Sequence, residues 1–214
     1  PTPTNTATNT PTYTPTLTPT VTPLPTATRT PTLTPTATTA VQTITIQVNS
    51  GADDVNDTGT LPASDTSIWV GNAGTANPAI AGFRFNNITI PKGSTINSAH
   101  LEVYSIQSQW QTISFQIAAE AADSSAAFTT SNRPGQRTLA ATTVTHSSNV
   151  NWNTNTWYSL DEMAPVIQQV TNRTGWQGGN SLSVILHGLN AGTFGRKFVS
   201  TFERSATNAV RLVI

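Results

Sequence analysis

The chain has no cysteine, a single methionine and few charges, with charged residues making up 9% of its 214 residues. Without cysteine, disulfide frameworks, thiolate zinc sites, iron–sulfur clusters and a cysteine nucleophile are all excluded together. A domain large enough to build a core has no need of disulfides, so this absence leaves the compartment open. Charge of one sign is also lacking, since ten basic residues face ten acidic ones. Proteins that bind nucleic-acid backbones carry basic surfaces that release counterions, and no nucleic-acid partner is expected here. No apolar run approaches the ~20 residues that cross a bilayer, so no membrane span is expected either. The G-x-S-x-G elbow, the H-E-x-x-H helix, the phosphate loop and G-x-G-x-x-G are all missing, and His100, His146 and His187 are scattered, so no enzyme activity is expected. A glycosidase needs two carboxylates facing each other across a cleft. Asp161 and Glu162 instead adjoin each other at an expected helix start, while Glu102 and Glu203 read as outward strand positions able to pair with Arg84, Arg204 or Arg211.

What is abundant sits at the start. Residues 1–40 form a Thr/Pro-rich arm and residues 41–214 a polar globular domain. Within the arm, threonine alternates with other residues: Thr2, Thr4, Thr6, Thr8, Thr10, Thr12, Thr14, Thr16, Thr18, Thr20, Thr22, Thr26, Thr28, Thr30, Thr32, Thr34, Thr36 and Thr38, with Leu24 interrupting. Every proline of the arm falls on an odd position, from Pro1 to Pro35. Such a segment cannot bury enough apolar surface to fold alone, and each proline pushes its predecessor toward extended geometry. One reading is a stalk whose threonines carry O-linked glycans. The parity supports another. In a strand, residues i and i+2 share both a face and a hydrogen-bonding edge, so prolines confined to odd positions damage one edge only. The arm can then add as an outer strand to a neighbouring sheet, with Leu17, Val21, Leu24 and Leu33 as candidate subunit contacts.

The domain carries strand periodicity. Ile44, Ile46 and Val48 alternate with polar residues, as do Phe83 and Phe85, Leu101 and Val103, and Ile113, Phe115 and Ile117. Leu182, Val184 and Leu186 follow, then Phe198 and Phe202 flanking Ser200, then Val210, Leu212 and Ile214. Turn clusters at 51–57, 71–78, 91–97 and 132–135 separate about nine strands in this reading. One helix is expected, because Met163, Val166, Ile167 and Val170 fall at i, i+3, i+4 and i+7 with Pro165 in the first turn. The expected fold is all-β: an antiparallel, jelly-roll-like β-sandwich with one short helix, preceded by the extended arm.

Two stretches resemble a known family. Gly82-Phe83-Arg84-Phe85 followed by Ile90-Pro91-Lys92-Gly93-Ser94-Thr95-Ile96-Asn97-Ser98-Ala99-His100-Leu101-Glu102 is similar to the opening of DNRLRE-type domains, a strand and then "IPxGxxIxxAxLxx". Trp157 to Asp161, Val166-Ile167-Gln168, Ser181 to Leu186, and Phe198-Val199-Ser200-Thr201-Phe202-Glu203 look like that family's helix, penultimate strand and "F-x-S-x-E" strand. The resemblance covers residues 80–214 and implies a fold more than an activity. It also implies a secreted or surface-anchored microbial setting, often beside Thr/Pro linkers, with some relatives counted as carbohydrate-binding modules.

Candidate sites are few. Asp53, Asp54 and Asp57 crowd an expected turn and are candidate ligands for a structural calcium ion, which takes six to eight hard oxygens. Trp110 between glutamines and Trp152 between asparagines suit exposure and are candidate sugar-stacking residues, whereas Trp69, Trp157 and Trp176 are expected to be packed. Two functions compete. In one, the chain is an extracellular structural subunit whose arm docks on another copy, head to tail, to give a glycosylated filament. In the other, it is a polysaccharide-binding module on a Thr/Pro stalk; a third reading, a spacer between other domains, stays open.

Overall fold

A computed structural model describes residues 1, 3–4, 11–14, 41–61, 65–72, 79–189 and 194–214. The chain divides into two units, Pro1–Ala40 and Val41–Ile214. In the first, the described residues, Thr4, Thr12, Tyr13 and Thr14 among them, are exposed and belong to no helix or strand. The other candidate threonines of the arm, and Leu17, Val21, Leu24 and Leu33, lie outside the described residues.

Val41–Ile214 is an all-β sandwich of two antiparallel sheets, with eleven strands and one short α-helix among the described residues. The first sheet holds β1 (Thr45–Gln47), β3 (Ser67–Gly71), β5 (His100–Ser105), β8 (Thr156–Ser159), β10 (Arg196–Ser200) and β11 (Arg211–Val213). In the second, β2 (Asp54–Asp57), β4 (Ile80–Phe85), β9 (Leu182–Gly188), β6 (Ile113–Glu120) and β7 (Leu139–Ser148) lie side by side in that order. The first sheet forks at β5. Glu102 pairs with both Arg211 and Ser159, and Ser105 with both Val199 and Thr156. A residue has only two strand neighbours, so β8 flanks one side of β5 while β11 and β10 share the other.

Alternation explains the core. Leu101 and Val103, Phe115 and Ile117, Phe83 and Phe85, and Val184 and Leu186 point between the sheets and are buried. Each such side chain contributes about 1.5–3 kcal/mol on burial. Helix α1 (Ala164–Thr171) lays Val166, Ile167 and Val170, with Met163 at its N-cap, into the same core. Its first turn carries Pro165, and Ala164 donates its N–H to the Glu162 carboxylate at 2.7 Å. On the far side of the helix, the Gln169 amide accepts the N–H of Thr142 on edge strand β7 at 2.7 Å. No helix among the described residues is long and apolar enough to cross a membrane.

Three details depart from expectation. The acidic stretch expected as a turn enters a strand at Asp54, and β2 is buried throughout. Phe202 lies in a turn beyond β10, and the parity of that strand is inverted: Lys197 and Val199 are buried inward while Phe198 faces outward. β7 is the longest strand, yet it shows little apolar alternation, because it is an edge strand with small and hydroxyl side chains facing water.

Two devices close the sandwich. At the β2–β3 corner, the side chain of Asn56 stands in for a strand: its Oδ1 accepts the N–H of Trp69 at 2.9 Å and its Nδ2 donates to the Trp69 carbonyl at 3.0 Å. Across the outer face of the second sheet runs a strap, residues 121–138. Phe128 of the strap packs on Val55 and Ile185, directly over Gly82, where a Cβ would stand 2.7 Å from the Phe128 ring and 2.6 Å from Pro134. Charge pairs at the strap and the strands beneath it tie the layer down: Arg84–Asp53 at 2.7 Å, Arg133–Asp57 at 3.0 Å and Arg137–Glu120 at 2.7 Å.

Candidate functional site

The outer face of the first sheet carries no such strap among the described residues. Side chains alternate across a strand, so the burial of Ile68 and Val70 sends Trp69 outward; that of Leu101 and Val103 does the same for Tyr104. Phe198 and Trp157 share this face. Trp69 and Phe198 are cross-strand partners with ring centroids 6.3 Å apart, and Tyr104 and Trp157 are partners at 5.2 Å in an edge-on arrangement. The four rings lie on β3, β10, β5 and β8 in turn, which spans about 14 Å at the usual spacing between strands.

Each tryptophan of this row is capped by an arginine. The Arg211 guanidinium carbon stands 3.9 Å from the Trp157 centroid, and its Nη1 lies 3.7 Å from Glu102, which also faces His100 at 3.9 Å. Arg196 stands 4.1 Å over Trp69, 5.4 Å from Phe198 and 5.5 Å from Phe194. Partial desolvation by this apolar setting lowers the Arg196 pKa from its ordinary value. Cation–ring contacts of this kind contribute about 0.5–1 kcal/mol per exposed pair.

The face ends at an apolar tip. Trp110 in the β5–β6 loop is 74% exposed, Val150 in the β7–β8 loop 58%, and Leu189 and Phe194 between β9 and β10 are 46% and 67% exposed. These loops share one end of the sandwich, because Ser105 at the end of β5 pairs with Thr156 at the start of β8, and Ile113 at the start of β6 pairs with Ser148. The chain enters the domain at the opposite end. Thr45 pairs with Val213, and Val213 with His100 at the start of β5. Beneath the tip, the Gln109 amide donates to the Phe198 carbonyl and the Ser105 hydroxyl, each at 2.9 Å, and Lys197 donates to the Val150 carbonyl at 2.5 Å.

The candidate residues are separated by this geometry. Trp152 is 3% exposed; Tyr158 stacks on one side at 4.8 Å and Lys197 stands 4.7 Å from its ring, so no sugar can lie on it. Despite its asparagine neighbours, Trp152 is itself held in a β-bridge, in which it and Gln109 exchange both backbone hydrogen bonds. Trp110 is exposed as expected from its setting but stands alone, without a ring partner among the described residues. Trp176 is buried and donates its indole N–H to the Ile90 carbonyl. Trp69 and Trp157, expected to be packed, lie on the outer row; the alternation Ile68-Trp69-Val70 is the signal that could have placed the first of them.

The calcium triad does not assemble. Because β2 is a strand, Asp54 points to the opposite face from Asp53 and Asp57. Asp53 is held by Arg84 and Asn86, and Asp57 by Arg133 and the N–H groups of Gly59 and Gly135. Among the described residues no group of three or more His, Asp or Glu side chains is placed to hold a metal ion. No protein-family model matches the chain, and no curated protein matches it.

Proposed function

We propose that the chain is a structural subunit of an extracellular, glycosylated filament or surface fibre, in which the arm of one copy docks on the sandwich of the next. The observation that carries this reading is polarity: the exposed apolar tip lies at the end of the sandwich opposite the one where the arm joins the domain. A contact between the arm of one copy and the tip of another is heterologous, and a heterologous contact that does not close propagates without limit. The arm's parity fits the same role, since its even edge keeps every N–H while its alternate threonines face away as glycan carriers. A jelly-roll-like winding and the likeness to surface-anchored DNRLRE-type domains belong to the same proposal, which assigns the chain no catalytic step.

The test is deletion of residues 1–40, followed by electron microscopy and sedimentation. The sandwich is expected to stay folded by tryptophan fluorescence and to lose all polymer. Substituting Thr18→Pro and Thr34→Pro, which damages the intact edge, is expected to reduce assembly, whereas Ala37→Pro on the odd edge is not. Polymers formed without the arm would sink the reading.

A second reading, a polysaccharide-binding module, is favoured by the aromatic row of the first sheet. The arginines cover one face of Trp69 and of Trp157, so sugar C–H groups would meet the parts of the rings left uncovered, with the guanidinium groups as donors to hydroxyl groups.

A further inference from the structure

The alternation in the arm has a counterpart in strand β7. We propose that the arm of one copy adds antiparallel to the free edge of β7 in the next copy, along residues 143–147; this names the acceptor for the filament reading and rests on that reading.

β7 offers an open edge. Leu189 donates its N–H to the Ser114 carbonyl, so the even residues of β6 face β9, and the odd ones, Ile113, Phe115 and Ile117, bond Ser148, His146 and Val144 of β7. The backbone N–H and C=O groups of the intervening Thr143, Thr145 and Ser147 therefore point off the sheet, and no described residue bonds to them. Their side chains are exposed on the outer face, while Val144 and His146 turn inward. Edge strands are ordinarily guarded by charge, proline, a bulge or a cover. In β7 the register shift opposite Ala118 and Glu120 and the Gln169 amide guard the first half, up to Thr142. Beyond it the strand carries no lysine, arginine, carboxylate or proline. The other open edges are shorter, since β1 and β8 run for three and four residues.

Position and direction fit as well. β7 ends at Ser148 beside the apolar tip, and Val150, 58% exposed, follows in the loop, so the open half of the edge begins where the arm of another copy meets the tip. In an antiparallel pair, residues that bond across the strands carry their side chains on one face. Arm threonines bonded to Thr143, Thr145 and Ser147 then stand on the outer face, open to glycans, and the odd residues, Leu17, Val21 and Leu33 among them, turn inward beside half-buried Val144. The odd prolines direct their missing donors to solvent, the one arrangement in which a sheet tolerates them. A parallel strand bonds one residue out of step and turns the threonines inward instead.

The experiment uses the full chain. Thr145→Pro removes a donor from the free edge and none from the β6 ladder. The domain is expected to stay folded by tryptophan fluorescence, while the concentration needed for assembly rises about 10-fold or more. Because the chain has no cysteine, engineered disulfides give a second readout, which decides the matter if the proline variant does not fold. Chains carrying Thr145→Cys are mixed with chains carrying a single cysteine scanned through residues 1–40, and oxidised. Disulfides are expected from even positions within one stretch of the arm, because those side chains share the face of Thr145. Disulfides from odd positions overturn the antiparallel pairing. A disulfide between two Thr145→Cys chains, with none to the arm, shows β7 pairing with β7 and overturns the inference. Unchanged assembly of Thr145→Pro, or a scan without disulfides, overturns it as well. In either case loss of polymer on deleting residues 1–40 leaves the filament reading standing with a different acceptor, whereas polymer that persists sinks both.

Discussion

Replacing Asp54 with asparagine is expected to remove one contribution to this domain's stability, a contribution that falls as pH rises between about 4 and 8. Asp54 is 4% exposed; its Oδ2 accepts the N–H of Phe202 at 2.8 Å, and its Oδ1 is buried without a donor. Burial, aided by the charges of Glu203 and Asp53 and opposed by the Phe202 hydrogen bond, pushes its pKa from 3.8 up to about 8. Across that window the folded chain holds a proton that the unfolded chain has released. Stability tied to this carboxyl is therefore fully present below pH ~4, falls as pH rises, and is gone above about 8. At ~1.36 kcal/mol per unit, the interval corresponds to at most about 6 kcal/mol, comparable with the whole stability of a small domain. Asparagine keeps an acceptor for Phe202 and never ionises. Urea unfolding at pH 5, 6, 7 and 8 should show the wild type losing stability stepwise relative to Asp54→Asn, with the two closest at pH 5. Since every other titrating group is common to both proteins, a constant difference across the four pH values would refute the reasoning.

Two further substitutions probe the closures of the sandwich. Asn56→Ala strands the N–H and the carbonyl of Trp69 together and is expected to cost about 2–4 kcal/mol in denaturant unfolding, while Asn56→Asp, which can accept but not donate, should be destabilised too. Gly82→Ala drives a methyl into Phe128 and Pro134 and is expected to cost about 1–3 kcal/mol, with faster proteolytic cleavage within residues 121–138 as the readout.

The sandwich and its helix were legible because their signals are local. Met163, Val166, Ile167 and Val170 repeat at the helical period, and Leu101 and Val103 at the period of a strand facing one core. Legibility failed where a second layer covers a strand. β2 reads Asp-Val-Asn-Asp, which on its own is a turn; its burial depends on Arg84 and Arg133, distant in sequence, and on an outer strap that no periodicity announces. The aromatic row failed for a related reason. Tryptophan is ordinarily a core residue, and only the identity of both neighbours, as with Ile68 and Val70, tells which face it takes. At Phe198 even that rule misleads, because one inward neighbour is a lysine, whose ammonium donates to the Val150 carbonyl. Trp110 and Trp152 had the same kind of polar flanks and opposite fates, decided by whether the local backbone found a bridging partner.

The amide of Asn56 has a consequence for how this molecule behaves in company. A sandwich leaves strand edges at its corners, and a bare edge is a template on which any extended chain can crystallise. By closing the β2–β3 corner with a side chain, the domain removes one such template without adding a strand, and Gln169 does the same for part of β7 at the opposite corner. Indiscriminate sheet growth is thereby blunted at the β2–β3 corner and at Thr142 of β7, while β1 and β8 remain edge strands of the first sheet.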